Sequence, residues 1–254
     1  MKILVTFALE NEFAPWRRMR GFSKVSAGAW DHSYREKIGD TEVRVFLTGA
    51  GRFAAQREAS VAFGEIPDVC VVSGLSGGLR SDHLLGAVLA ARSVTDATGS
   101  KVYYCDPDLL SSAAAVGAKR VDRFLTADHV VGTAAEKHEL GASADAADME
   151  SLWILAAAAE REVPAILIRA ISDTVDSDLP LDFNRIFNER GAVSIPRVVG
   201  QLATRPMQVG GLIRLAHDSE RAASNLASFL DSFVQSLTAP PPTENAKAAA
   251  LSVS

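Results

Sequence analysis

Residues 147–178 read ADMESLWILAAAAEREVPAILIRAISDTVDSD, and this stretch decides the fold class. Apolar residues recur at helical spacing over 150–162, and Pro164 ends that helix because proline lacks the amide donor that a further turn needs. The run 165–171 is apolar except for Arg169, which predicts a strand buried on both faces of a parallel sheet. The sequence therefore indicates an α/β protein, with Arg169 as a buried structural ion-pair partner.

Acidic residues and glycines follow several of the predicted strands. In open α/β sheets, ligands bind in the crevice beyond the carboxyl ends of the strands. Asp173 follows the strand just described, and Glu150 stands at the start of the preceding helix. Further strands are predicted at 2–9, 42–47, 68–73, 84–93 and 121–126, and after them come Glu12, Gly49, Gly51, Gly74–Gly78 and Asp128. We expect these groups to share one rim of the sheet.

The composition is that of an ordinary globular protein. The chain has 254 residues, 48% of them hydrophobic and 22% charged, and a net charge of −5, so it does not suggest a general nucleic-acid or anionic-membrane binder. Two cysteines and five histidines have no metal-ligand spacing, and we predict no metal and no cofactor. The apolar run 3–9 is too short for a signal core or a membrane span, so we expect a cytoplasmic protein.

The chain is long enough for one large core. We predict a single catalytic domain over 1–238, followed by a low-complexity, disordered tail over 239–254. Beyond Asp178 the pattern turns helical, with helices predicted at 183–188, 195–203, 208–216 and 219–238. The last of these has an apolar face, which we expect to dock on the sheet or on a partner.

Three carboxylates, Glu12, Glu150 and Asp173, are expected at one rim without a metal, thiol or histidine beside them. Splitting a glycosidic bond suits such a set, because it requires an acid for the leaving group, a base for water and a group that holds the sugar hydroxyls. Glu12 has a plainer interpretation, as a solvated acid in the first turn of a helix predicted at 13–20.

A second interpretation concerns GAGRFAA at 49–55, which follows a strand and opens a helix as a dinucleotide fingerprint does. The acid that would bind the ribose should end the next strand, whereas Asp68 begins it. A tight turn whose backbone donors face the crevice is the better explanation.

Five segments together resemble a known superfamily. MKILVTFALENE, TGAGRFAA, VSGLSGGL, ADMES and RAISD are similar, in order and spacing, to motifs of the purine nucleoside phosphorylase/nucleosidase superfamily, above all the methylthioadenosine/S-adenosylhomocysteine nucleosidases. The resemblance covers roughly Met1–Asp178. It implies a three-layer α/β/α sandwich around a mixed, partly barrel-like sheet, and a homodimer. The region from 179 to the final helix resembles hopanoid-associated members, which are assigned release of adenine from an adenosylated lipid.

The resemblance also implies roles for single residues. Asp173 resembles the general acid that protonates the five-membered ring of the purine, and a raised effective pKa is expected for it. Ser172 would orient Asp173, and Glu12 would position the attacking water. Glu150 would hold the ribose hydroxyls, and Met149 would pack against the sugar. The further substrate-binding candidates are Gly51, Gly74, Leu75, Ser76, Gly77 and Val130.

The resemblance points to a nucleosidase that hydrolyses an adenine nucleoside, with two rivals left open. One is a phosphate-dependent phosphorylase. Glu12 would repel phosphate and GLSGG contains no basic residue, although Arg52 and Arg80 lie near by in sequence. The other is a non-catalytic nucleoside- or lipid-binding paralogue. Leu75 stands where nucleosidases carry a small hydroxyl residue, and Val130 near the position of their purine-stacking aromatic. We expect no nucleic-acid partner, and membrane contact only if the substrate is lipid-linked.

Overall fold

The computed structural model describes residues 1–25, 32–186 and 193–238. The predicted tail at 239–254 and the end of the helix predicted at 183–188 lie outside these ranges. Within them, Phe183–Arg185 form one turn of 3-10 helix.

Ten strands in the described ranges form one mixed sheet. They are β1 (Lys2–Phe7), β2 (Ser23–Val25), β3 (Ser33–Ile38), β4 (Thr41–Leu47), β5 (Val69–Gly78), β6 (Val88–Asp96), β7 (Val102–Tyr104), β8 (Lys119–Thr126), β9 (Ala146–Asp148) and β10 (Ala165–Asp173). The spatial order is β10-β6-β8-β9-β5-β1-β4-β3-β2, with β7 paired to β6.

Part of this sheet closes into a barrel. β10 pairs with β6 in antiparallel fashion and with β5 in parallel, so β5, β10, β6, β8 and β9 form a ring. β1 and β4 extend the sheet from β5 in parallel, and β3 and β4 form an antiparallel hairpin. The mixed, partly barrel-like sheet expected from the resemblance is confirmed.

Seven α-helices in the described ranges cover the sheet. They are α1 (Glu10–Arg20), α2 (Arg52–Ala62), α3 (Pro107–Val116), α4 (Ala134–Leu140), α5 (Ser151–Ala159), α6 (Ile195–Thr204) and α7 (Val209–Thr238). None of these helices is long and apolar enough to cross a membrane.

The long helix α7 replaces two predicted helices, at 208–216 and 219–238. His217 and Asp218 lie at the predicted break, and neither residue stops a helix as proline does. The apolar face of α7 is buried where the helix packs against α1 and β10, and its core residues are Ala222, Leu226, Phe229, Leu230 and Phe233. The predicted docking of this helix on the sheet is confirmed.

The segment Gly74–Gly78 differs from the prediction, which placed it after a strand. The structure continues β5 to Gly78, because its backbone pairs with two neighbours that the sequence pattern did not connect to it. Gly74 lies opposite Arg169 of β10, and Gly77 lies opposite Ala147 of β9. These candidate binding residues therefore belong to the barrel wall rather than to a flexible turn.

Candidate functional site

A cavity of about 270 Å³ lies at the end of the barrel where the predicted acids meet. Its lining includes nine of the residues singled out in the sequence: Glu12, Leu75, Ser76, Gly77, Val130, Met149, Glu150, Ser172 and Asp173. The two other candidates, Gly51 and Gly74, do not line the cavity but contact its acids. The catalytic carboxylates predicted from the sequence thus share one cavity, although they are far apart in the chain.

Glu12 lies in the first turn of α1 and points inward. Only 7% of the residue is exposed, so the interpretation as a solvated acid is wrong. Its Oε2 accepts hydrogen bonds from the amides of Ala8 (2.9 Å) and Leu9 (3.0 Å), and its Oε1 accepts one from Leu75 (3.1 Å). Burial raises the pKa of Glu12, although Arg169 and the three amides oppose the shift. The carboxylate is held rigidly and is more basic than a free glutamate.

Glu150 immediately precedes α5 and faces the same cavity. Its Oε1 accepts a 2.7 Å hydrogen bond from the amide of Gly51, whose φ of 87° is one that L side chains rarely adopt. Burial raises the pKa of Glu150 to about 7, since the nearby Asp148 adds to the effect and Arg169 offsets only part of it. The predicted glycine turn therefore donates to a carboxylate.

Arg169 provides the buried positive charge behind these acids. Its Nε lies 3.3 Å from Oδ2 of Asp148, and its Nη2 lies 3.5 Å from Oε2 of Glu150. The side chain also donates to the carbonyl of Leu75 (3.2 Å) and the hydroxyl of Ser151 (2.9 Å). Burial alone would lower the pKa of Arg169, but the neighbouring carboxylates outweigh it and leave the pKa raised. The predicted buried ion pair is confirmed.

Gly74 makes this charge arrangement sterically possible. A Cβ atom there would overlap Nη1 of Arg169, and it would lie 3.0 Å from Oε2 of Glu12, which is tighter than most real Cβ contacts. Its φ of 139° is also unfavourable for other residues. Glycine at this position lets the acid and the guanidinium approach the barrel wall together.

Asp173 ends β10 and carries two partners. Its Oδ1 accepts a 2.8 Å hydrogen bond from the hydroxyl of Ser172, as the sequence analysis expected. Its Oδ2 lies 2.5 Å from Nζ of Lys137, a fully buried side chain that the sequence analysis missed. Nζ also donates to the carbonyls of Thr174 (3.1 Å) and Ser177 (2.8 Å). Lys137 therefore places an amino group next to Asp173 and also holds the backbone of the turn that follows Asp173.

The two arginines that favoured a phosphorylase lie elsewhere. The guanidinium of Arg52 packs over the ring of Trp153, with its Cζ 4.5 Å from the ring centroid. Arg80 contacts Asp82 (3.4 Å) and Asp145 (3.8 Å) beside a different cavity. Neither arginine lines the cavity that holds Glu12.

The C-terminal region forms one part of the cavity lining and contributes apolar side chains to it. Leu179, Phe183, Val193 and Leu215 line it there, the last from α7. Val130 lines the cavity too, and its backbone amide and carbonyl are both bound by the side chain of Asn184 (2.6 and 3.1 Å). The cavity thus has an acidic end at the barrel and an apolar end at the helical extension.

Among residues 1–25, 32–186 and 193–238, no group of three or more His, Cys, Asp or Glu side chains is arranged to hold a metal ion. The cavity lining contains the buried carboxylates of Glu12 and Glu150, and the carboxylate of Asp173 beside the side chain of Lys137.

Solved structures with the same fold come from several bacteria. A mutant of the Helicobacter pylori methylthioadenosine nucleosidase, with 5'-methylthioadenosine in its active site, is 17% identical with a TM-score of 0.69, over 92% of this chain and 98% of that one. The futalosine hydrolase of the same organism is 17% identical, with a TM-score of 0.69 over 92% and 97%. A nucleosidase from Neisseria meningitidis, in complex with methylthio-immucillin-A, is 20% identical, with a TM-score of 0.68 over 92% and 99%.

The sequence itself also matches a family. The matching family is described as the Phosphorylase superfamily, and the match covers residues 2–202, which is most of the chain and includes the three carboxylates Glu12, Glu150 and Asp173. The chain belongs to the phosphorylase superfamily.

Proposed function

We propose that the protein is a nucleosidase that hydrolyses the N-glycosidic bond of an adenine nucleoside and releases adenine. The observation that carries this proposal is the convergence of Glu12, Glu150 and Asp173 on one cavity. Hydrolysis of such a bond passes through a cationic sugar, which a cavity rich in carboxylates stabilises.

Asp173 is the proposed acid. It donates its proton to the five-membered ring of the purine while the bond between sugar and base breaks and the bonding electron pair leaves with the base. The carboxylate that remains lies 2.5 Å from Nζ of Lys137, whose positive charge stabilises it. Ser172 holds the other oxygen in place, so the acid keeps one orientation.

Glu12 and Glu150 act at the sugar. Glu12, with its raised pKa, accepts a proton from the water whose oxygen attacks the cationic carbon. Glu150 accepts hydrogen bonds from the ribose hydroxyls, and Met149 packs beside the sugar. Leu75, Ser76, Gly77 and Val130 form the rest of the proposed binding surface, and Gly51 and Gly74 support the acids.

Water is favoured over phosphate as the acceptor because of charge. Glu12 places a negative group where the acceptor would bind, and Arg52 and Arg80 lie outside the cavity. A phosphate anion beside Glu12 would therefore meet repulsion without a matching arginine. The phosphorylase remains the enzymatic alternative because the family carries that name.

The apolar end of the cavity favours a nucleoside with an apolar 5' substituent. Leu179, Phe183, Val193 and Leu215 offer such a group a dry surface. A 5'-alkylthio group, as in methylthioadenosine, or a longer apolar chain, as in an adenosylated lipid of the adenosylhopane type, fits this chemistry. S-adenosylhomocysteine-like substrates share the 5'-thioether but end in a charged amino-acid group, which these apolar side chains suit less well.

The test is adenine release from a panel of adenosine derivatives, followed by chromatography, with and without phosphate. We expect adenine and free sugar in both conditions. Asp173→Asn should slow adenine release by about 10²–10⁴-fold. The control is Asp176→Asn, which changes an exposed carboxylate that pairs with His138 and should leave the rate of adenine release unchanged. Ribose 1-phosphate formed only with phosphate would show a phosphorylase. Binding of the nucleosides without turnover would show a non-catalytic paralogue.

We further propose that the protein is cytoplasmic and forms a homodimer. Light scattering of the purified protein would measure the oligomer, and a monomeric mass would contradict the dimer. Fractionation of cells would test the location.

A further inference from the structure

The segment 193–217 combines exposed apolar side chains with a one-sided charge. Of the thirteen large hydrophobic side chains exposed in the described ranges, six lie within 193–213. They are Val193, Ile195, Val199, Met207, Val209 and Ile213. This crowding is unusual, because single exposed apolar residues are ordinary whereas a group of them marks an interaction surface.

The exposed apolar residues recur at the spacing that places them on one face of a helix. Ile195 and Val199 are four residues apart on α6, and 67% and 58% of their respective surfaces are exposed. Val209, Ile213 and Ala216 recur at i, i+4 and i+7 on α7, and all three are exposed. No residue of α6 is buried, so this helix lies on the surface of the protein.

The charge of the segment is opposite to that of the whole chain. Residues 193–217 contain Arg197, Arg205 and Arg214 and not a single Asp or Glu, although the chain carries 31 acidic residues and a net charge of −5. All three arginines are exposed. An amphipathic surface helix with apolar residues and arginines is the pattern that lies in a membrane interface and attracts anionic lipids.

A second copy of this chain is a less suitable partner for the surface of residues 193–217 than an anionic membrane. A twofold interface brings the same patch of each subunit together, so the arginines of one copy would meet those of the other without any acid from 193–217 to pair with them. An anionic lipid surface brings negative charge to the exposed arginines and accepts the apolar side chains as well.

The position of the segment links it to the catalytic cavity. Val193 precedes α6 and Leu215 lies on α7, and both line the cavity that holds the three carboxylates. The surface between them therefore borders the apolar end of that cavity. We propose that residues 193–217 dock the protein on a membrane surface of anionic lipids, with the apolar end of the cavity facing the bilayer.

The test is sedimentation of the full chain with vesicles of phosphatidylcholine, alone or with about 30% phosphatidylglycerol. We expect binding only to the anionic vesicles, and its loss as salt rises from about 0.1 M to about 0.5 M. Arg205→Gln should lower the partition coefficient about fivefold, and Ile213→Asp should lower it about tenfold or more. The matched controls are Arg120→Gln and Ile66→Asp, at exposed positions away from 193–217, and both should bind as the unmodified protein does.

Vesicle binding is read without any substrate, so its result is independent of whether adenine is released. Equal binding to both kinds of vesicle, or none to either, would overturn the proposal. The same is true if Ile213→Asp dissociates a dimer in light scattering while vesicle binding persists, because the segment would then be an interface between copies.

Discussion

Replacing Arg169 with methionine removes the buried cation on which the acids of the cavity depend. The guanidinium lies 3.3 Å from Asp148 and 3.5 Å from Glu150, and only 1% of the residue is exposed. Methionine keeps much of the volume but leaves these carboxylates without a counter-ion. Removing one partner of a buried ion pair costs about 3–5 kcal/mol, so we expect the free energy of unfolding to fall by about that amount near neutral pH.

The loss of stability in Arg169→Met should depend on pH, because the pKa of Glu150 is already raised in the unmodified protein. Its pKa is about 7 in the folded chain, against 4.5 for the free side chain. Between these values the folded form binds more protons than the unfolded form, so the free energy of unfolding decreases as pH rises, by about 3 kcal/mol in total. Without Arg169 the pKa rises further and the decrease continues to higher pH. The variant should therefore lose least near pH 5 and most near pH 8.

Urea unfolding followed by tryptophan fluorescence measures this loss at both pH values. The matched control is Arg20→Met, which breaks a partly exposed contact with Asp231 (2.6 Å). That change should cost about 1 kcal/mol or less and show no pH dependence in this range, because the pKa of Asp231 is lowered by Arg20. Equal losses for Arg169→Met at both pH values, or a loss no larger than that of the control, would refute the role of Arg169 as counter-ion.

Three further changes test the rest of the site. Lys137→Met should lower the free energy of unfolding by about 3 kcal/mol in urea titration, because it leaves the part-buried carboxylate of Asp173 and two carbonyls without their buried donor; a loss below about 1 kcal/mol would contradict this. Because Glu12 must be ionised to accept a proton, kcat/KM should rise with pH through a pKa above that of a free glutamate, and Glu12→Gln should remove this limb. Gly74→Ala should lower both stability and turnover, because the new Cβ overlaps Arg169, whereas Gly99→Ala, at a φ of 70° with open space around it, should cost only about 1–3 kcal/mol of backbone strain and leave turnover intact. Equal turnover in the two glycine variants would contradict the steric argument.

The acids of the cavity could be anticipated from the sequence because their positions follow from element ends. Asp173 ends a strand that is recognisable by its apolar run, and Glu150 immediately precedes a helix of recognisable spacing, although that helix ends at Ala159 rather than continuing to about 162 as predicted. The strand β5 was harder to delimit. Clustered glycines usually indicate a turn or a loop. Here the pairing with β9 and β10, which are distant in sequence, holds Gly74–Gly78 in the sheet.

The role of Lys137 could not be predicted from the sequence, for a different reason. It lies on α4, and seven residues are too few for helical periodicity to be visible. The sequence does contain a local signal for this helix, because Thr133 followed three residues later by Glu136 is a capping-box sequence. In the structure the Thr133 hydroxyl accepts a hydrogen bond from the Glu136 amide. That signal locates a helix start, but it does not reveal that a lysine is buried. The burial depends on Asp173 and on the carbonyls of the turn after it.

Closure of the barrel has a consequence for how the protein behaves when it is concentrated. Unpaired strand edges recruit other chains and begin aggregation, and long flat edges do so most readily. In the described ranges the sheet ends at β2 and at β7, and each of these strands has only three residues. Each of the five ring strands has a neighbour on both sides within the ring, so a destabilised variant should expose no long template there until the ring itself opens.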